Sequence, residues 1–212
     1  MTEHTNNVSP ALTLKQRWLH EFKQSLDRGG WTAIEEKLGK AFDEIATDGL
    51  TDLYTPRMFN RIIAQIIEPR IRRKHQSNIT PLGAVVFIDI DRFKQLNSMF
   101  GHAGGDDMLR VFAKHLSDKF RISDLIGRIG GDEFVVIADG LSVDAVSERI
   151  ENLRAELLHY PWKLERIDGG DRSVGCELGF TSKVVEISDP SVISEFIRKA
   201  DIAVMQQKKD RD

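Results

Sequence analysis

Two short strings hold the residues best suited to chemistry. The first is Phe87-Ile88-Asp89-Ile90-Asp91, where two carboxylates close an otherwise apolar run. Side chains alternate along a strand, so Asp89 and Asp91 fall on one face. Burying two carboxylates there is costly unless a cation or hydrogen-bond donors meet them. A hard cation such as Mg²⁺ takes one or two carboxylates plus phosphate oxygens and water, which suits this pair. The alternative is a strand end emerging into solvent, with Asp91 capping the next helix. The second string is Arg128-Ile129-Gly130-Gly131-Asp132-Glu133-Phe134. Paired glycines permit positive φ and let a large ligand approach the backbone. Asp132 and Glu133 at a hairpin tip beside a central strand would meet Asp89 across the sheet. Carboxylates converging from two strands make a metal site for phosphoryl or nucleotidyl transfer. A plain Gly-Gly-Asp turn is the structural alternative.

Strands must carry those strings and helices must cover them. Residues 84–88 are a continuous apolar run and read as a central strand covered on both faces. Residues 125–129 and 134–138 read as short strands of a hairpin around the glycine pair. Apolar residues at spacings of three and four predict helices over 55–75, 105–120, 143–158 and 191–207. Ile62, Ile63, Ile66 and Ile67 form the apolar face of the first, and Arg70, Arg72, Arg73 and Lys74 solvate its C-terminal end. Residues 162–166 and 174–185 read as two further strands. Strands alternate with helices but at least one hairpin is antiparallel. The expected class is therefore α+β, with a mixed, mostly antiparallel central sheet flanked by helices.

Ahead of this lies a helical extension. Residues 1–10 are polar and aperiodic. Leu14, Trp18, Phe22 and Leu26 mark one helix closed by Gly29-Gly30; Trp31, Ile34, Leu38, Phe42 and Ile45 mark a second ending near Asp48-Gly49. The expected seam divides the chain into 1–47 and 48–212. The leading helices either pack on the domain or dimerise it; two heptads do not decide.

Composition narrows the class. The 212 residues have a formal net charge of -3, with 41% hydrophobic and 30% charged residues. This balance argues against a cationic nucleic-acid binder. A single Cys176 excludes an intramolecular disulfide and a multi-cysteine zinc site. No two histidines fall three or four apart, and no apolar run approaches a membrane span. The N-terminus carries no signal-peptide pattern, so the expected location is cytoplasmic. The G-x-G-x-x-G fingerprint and the P-loop are both absent.

The hairpin string resembles the signature of the GGDEF family, the bacterial diguanylate cyclases. The likeness covers residues 48–211. Asp48-Gly49-Leu50-Thr51-Asp52-Leu53 is similar to the family's D-x-L-T-G-L, with Asp52 where glycine is usual. Residues 89–106 read D-I-D-R-F-K-Q-L-N-S-M-F-G-H-A-G-G-D, similar to D-x-D-x-F-K-x-x-N-D-x-x-G-H-x-x-G-D, with Ser98 for one Asp.

The resemblance implies a palm-like nucleotidyl cyclase fold and a nucleotidyltransferase joining two GTP into cyclic di-GMP, with Mg²⁺ (or Mn²⁺) as cofactor, acting as a homodimer. Asp89, Asp132, the backbone carbonyl of Ile90 and Glu133 would hold the metal. Glu133 would also activate the attacking hydroxyl. Asn97 and Asp106 would read guanine. Lys94, Arg128 and Lys208 would neutralise the triphosphate, with Phe93, Gly130 and Gly131 beside it. His102 would hold its loop. Arg121-Ile122-Ser123-Asp124, an R-x-x-D five residues before G-G-D-E-F, resembles an inhibitory product site, completed by Arg149. The C-terminus departs from the family's A-L-Y-x-A-K-x-x-G-R-N: Met205 replaces Tyr, Gln207 replaces Ala, and the glycine is missing. That departure keeps a second expectation open, a silent domain that binds GTP or cyclic di-GMP and signals by contact.

Overall fold

Four strands carry the site in the computed structural model, which describes residues 46–164, 178–193 and 195. They are β1 (Gly83–Ile90), β2 (Leu125–Arg128), β3 (Glu133–Asp139) and β4 (Phe180–Glu186), in the order β2-β3-β1-β4. All three pairings are antiparallel, so the sheet is not mixed within its ladders. The one parallel contact among the described residues is an isolated bridge from Tyr54 to Gly127, which lays the opening segment along the outer edge of β2. The expected α+β class with a mostly antiparallel sheet holds.

Two helical layers sandwich this sheet. On one face lie α1 (Pro56–Ile62), a π-turn (Ile63–Ile67) and α2 (Glu68–Gln76). Thr55 caps α1 by accepting the Met58 N–H, and Pro56 supplies the fixed φ of the first helical position. Phe59, Ile63, Ile67 and Ile71 are all buried against Val85, Val135 and Ile137. Residues four apart drift about 40° per step around an α-helix. The wider π-turn takes up that drift and keeps the four on the sheet. Ile66 is the correction to the expected apolar face: it is 48% exposed.

The other face is covered by α3 (Phe93–Lys119) and α4 (Val143–Leu158). Met108, Leu109, Phe112 and Leu116 of α3 join Val146, Ile150 and Leu153 of α4 over Val86, Ile88, Phe134 and Val136. Phe112 packs on Phe134 at 4.8 Å and edge-on to Phe180 at 5.4 Å between ring centroids. Such pairs add about 0.5–1.5 kcal/mol beyond the area they bury.

Three expectations change. Helix α3 begins at Phe93 rather than 105, because two helical stretches run together across a sharp bend at Gly101. Residues 162–164 are not a strand: the Trp162 N–H is taken locally by the Tyr160 carbonyl, while Trp162 and Leu164 bury in the core. β4 starts at Phe180 rather than 174; Leu178 and Gly179 are irregular, and 165–177 lie outside the described residues. Also outside them are 1–45, most of the expected last helix, and Lys208.

Candidate functional site

Strand register brings the two chemical strings together. Asp89 of β1 is the direct partner of Glu133 of β3, and the Ile90 N–H donates to the Asp132 carbonyl at 3.1 Å. The face that carries Val85 under the helices continues as Phe87 and then Asp89, beyond their cover. Neither carboxylate of the register pair meets a cation or a hydrogen-bond donor among the described residues. Burial, then the charges of Asp132 and Asp91, push the Asp89 carboxyl above its ordinary range. Burial, then Asp89 and Asp132, do the same to Glu133. Each group therefore raises the other's affinity for a positive charge.

Asp91 behaves differently from its neighbour. Its Oδ1 accepts the Thr181 hydroxyl at 2.7 Å, and its N–H donates to the Gly179 carbonyl. It does not cap α3. The cap position is Arg92, at φ 56, with no side-chain cap bond. Thr181 carried no signal in the sequence, since a threonine on a strand is ordinary.

The fit to a metal is a partial one in protein atoms. No three His, Cys, Asp or Glu side chains among the described residues stand close enough to enclose an ion by themselves. An anionic pair with open positions suits a hard cation that shares its shell with carbonyl, water and phosphate oxygens. Asp89 lines two clefts at once. One, of about 180 Å³, runs past Glu133, Phe87, Ile129 and Lys183. The other, of about 730 Å³, runs past Asp91, Arg92, Leu96 and Arg154.

The glycines of the hairpin tip serve differently from expectation. Neither adopts positive φ; among the described residues Gly83, Gly101 and Gly140 do. A Cβ at Gly130 would overlap the Glu133 carboxylate and force it to move, while no described atom lies within 4 Å of one at Gly131. Arg128, at the end of β2, is already engaged. Its Nε and Nη2 donate to the Gly131 carbonyl at 3.1 and 2.6 Å, and its Nη1 donates to Asp48 Oδ1 at 2.9 Å. Asp48 also accepts the N–H and the hydroxyl of Thr51. Burial alone would raise the Asp48 pKa; the bonds from Thr51 and Arg128 outweigh it, and the net shift is downward. Asp48 and Thr51 belong to the D-x-L-T string, in which nothing pointed to Arg128 as a partner.

Helix α3 supplies the next cluster. At Gly101 the backbone leaves helical geometry, at φ 72 and ψ 171, a region open essentially to glycine. Beyond this bend the chain folds back on itself. A Cβ at Gly105 would overlap the Asn97 side-chain oxygen and lie 3.3 Å from the Phe93 ring. Phe93, Asn97 and the backbone next to Asp106 thus form one group. Lys94 is exposed in the first turn. His102 is exposed and makes no hydrogen bond among the described residues.

Arg121, Asp124 and Arg149 also meet. Asp124 is only 4% exposed and its Oδ2 accepts the Arg121 N–H at 2.8 Å. Burial raises its pKa against the opposing pull of that N–H and of the Arg149 charge. Arg149 donates to the Lys119 carbonyl at 2.6 Å and lies over the Phe120 ring. Arg121 itself is exposed. Oδ2 of Asp124 closes the turn, while its Oδ1 is buried with no hydrogen-bond partner among the described residues.

Comparison with known proteins decides the family. The model described as "Diguanylate cyclase, GGDEF domain" matches residues 45–212. The chain belongs to the GGDEF domain family. Diguanylate cyclase DgcP of Pseudomonas aeruginosa is 34% identical over 180 residues, covering 85% of this chain and 25% of that protein. Diguanylate cyclase TpbB of the same species is 31% identical over 191 residues, covering 89% of this chain and 41% of its own length. The chain thus spans between a quarter and two-fifths of these GGDEF relatives. A solved GGDEF domain of TpbB matches with TM-score 0.56 and 27% identity over 76% of this chain and 89% of that one. The coiled coil and GGDEF domain of DgcB from Caulobacter crescentus matches with TM-score 0.63 and 19% identity over 94% and 96%, a likeness of fold. Among the described residues no helix is long and apolar enough to cross a membrane.

Proposed function

We propose that this GGDEF domain is a diguanylate cyclase that condenses two GTP into cyclic di-GMP and releases two pyrophosphates. The observation that carries the reading is the Asp89–Glu133 register pair. These carboxylates, with Asp132 beside them, face one another with no ion pair to a protein cation among the described residues, next to a glycine turn with open space above it.

Asp89, Asp132, Glu133 and the Ile90 carbonyl would hold Mg²⁺, for which Mn²⁺ could substitute. When bound there, such an ion would offset triphosphate charge and lower the pKa of the attacking 3′-hydroxyl. Glu133 accepts the proton of that hydroxyl as its oxygen bonds to the α-phosphorus of the other nucleotide and pyrophosphate leaves. The same exchange then closes the ring. Asn97 and Asp106 pair with the guanine edge; an amide and a carboxylate left unpaired by adenine penalise it. Phe93 and Lys94 flank the phosphates, and Lys208 supplies a second cation. The open face of Gly131 leaves room for the ligand.

Each domain binds one GTP, so the reaction needs a homodimer. Residues 11–47 raise the effective concentration of one domain for its partner. Cyclic di-GMP inhibits by binding at Arg121, with Arg149 and Asp124 shaping the site; the charged forks of the two arginines suit phosphate and guanine.

Incubation with GTP and Mg²⁺, followed by chromatography for cyclic di-GMP, tests the reading against the Asp132→Ala variant. Product from wild type and not from the variant is expected. Absence of product at every protein concentration would leave a nucleotide-binding receptor in its place.

A further inference from the structure

We infer that Arg128 and Asp48 are a joint positioning device for the hairpin tip, and that Arg128 is not a ligand of the triphosphate. The inference deepens the cyclase reading and rests on it for its kinetic arm.

The guanidinium bridges two segments eighty residues apart. One side of its fork holds the Gly131 carbonyl through two N–H groups. The other side holds Asp48, whose carboxylate is fixed in turn by Thr51. The side chains of Arg128 and Asp48 are 13% and 27% exposed. Backbone bonds run in parallel with this clamp: the Arg128 N–H donates to the Tyr54 carbonyl and the Tyr54 N–H to the Ile126 carbonyl. The opening turn is therefore stitched to β2 at the point where β2 enters the hairpin.

The clamp has a directional consequence. A trans peptide is planar, and its N–H points opposite to its carbonyl. Holding the Gly131 carbonyl toward Arg128 turns the Asp132 N–H the other way and fixes the peptide from which the Asp132 side chain departs. A guanidinium serving the triphosphate would have to leave both the Gly131 carbonyl and Asp48, uncovering a carboxylate whose partner it is.

Four proteins test this: Arg128→Ala, Arg128→Lys, Asp48→Ala and the double variant Arg128→Ala/Asp48→Ala, each in the full chain and each checked by thermal melting. GTP affinity is measured with Ca²⁺ in place of Mg²⁺ to prevent turnover, amide exchange is followed over residues 129–134, and kcat and KM are measured with Mg²⁺. A misplaced reacting group costs up to about 100-fold in rate. The expected result is a fall in kcat of roughly ten- to 100-fold in both single alanine variants, with GTP affinity and KM within about threefold of wild type. Exchange over 129–134 rises in both, and the double variant is no worse than Arg128→Ala, as residues acting through one contact require. Arg128→Lys keeps the charge but cannot reach both partners, and stays within about threefold of Arg128→Ala. The inference fails if Arg128→Ala weakens GTP binding about tenfold or more with exchange unchanged, or if Asp48→Ala tightens GTP binding by freeing the guanidinium. A wild type that makes no cyclic di-GMP would remove the cyclase reading alone, since exchange and affinity still judge the clamp.

Discussion

Asp48 and Asp89 sit on either side of the same hairpin tip and are treated in opposite ways. Asp48 receives Thr51 twice and Arg128 once, and its carboxyl is held below the ordinary range despite burial. Asp89 receives no donor among the described residues, and burial together with Asp132 and Asp91 raises it. One carboxylate is finished by the protein; the other is left for something that arrives. The contrast separates scaffold from site more sharply than exposure does, since both side chains reach solvent.

The largest effect that tests this contrast is loss of function paired with gain of stability. Asp132→Ala should cut cyclisation by at least about 10²–10³-fold, the scale of removing one group that stabilises transition-state charge. Asp89→Asn in metal-free buffer should melt higher than wild type, because it removes an unrelieved repulsion. Divalent metal should then raise the wild-type melting temperature more than the variant's. A variant that melts lower without metal would break the comparison.

The pH dependence should divide along the same line. Asp48 has a lowered pKa, so its contribution is present above the unfolded value and lost as pH falls through the folded one. Asp89 and Glu133 have raised pKa values, so the folded state favours their protonated forms. Their stabilising term is present in acid and lost as pH rises from the unfolded value through the folded one. Melting curves across the carboxylate range up to neutrality should therefore flatten at the acid end in Asp48→Ala and steepen upward toward neutrality in Asp89→Asn. Parallel profiles would show that the two carboxylates are equivalent.

Smaller still is the glycine pair. Gly130→Ala forces the Glu133 carboxylate to move, at a cost in stability of about 1 kcal/mol or less because that side chain can swing. Activity should drop well beyond what that cost implies. Gly131→Ala meets no atom of the described residues and should leave the melting temperature nearly unchanged. A small gain rather than a loss is expected at Asp52, which adopts φ 59 where the family commonly has glycine. Asp52→Gly should stabilise by up to about 1 kcal/mol through relief of the left-handed conformation, partly offset by backbone entropy. Denaturant titration would measure it.

Much of this was legible in the residues because strand alternation and turn chemistry are local. The β1 run, the hairpin around Gly130-Gly131 and the helix at 143–158 follow from patterns a few residues long. The meeting of Asp89 with Glu133 followed from placing two strings on adjacent strands. What stayed hidden depends on distant partners. Thr181 reaches Asp91 only once β4 has paired with β1. Arg128 looks like a free cation until residue 48 is brought to its side. The expected strand at 162–166 had the right alternation, but its described part, 162–164, pairs with no strand among the described residues. Ile66 had the right polarity but the wrong phase once the π-turn widened the helix.

Gly101 sets a phase relation that no side chain could supply. Asn97 and Asp106 are nine residues apart, which in an unbroken α-helix places them about 180° around the axis and ~13.5 Å along it. Two hydrogen-bonding groups so disposed face opposite half-spaces and share no ligand. The break at Gly101 cancels that half-turn, bringing the Asn97 amide against the backbone at Gly105. Any alteration in the angle of that bend would change the separation of the two groups as a caliper changes its jaws, so under the proposed guanine pairing one residue's ψ would set the size of the base they grip.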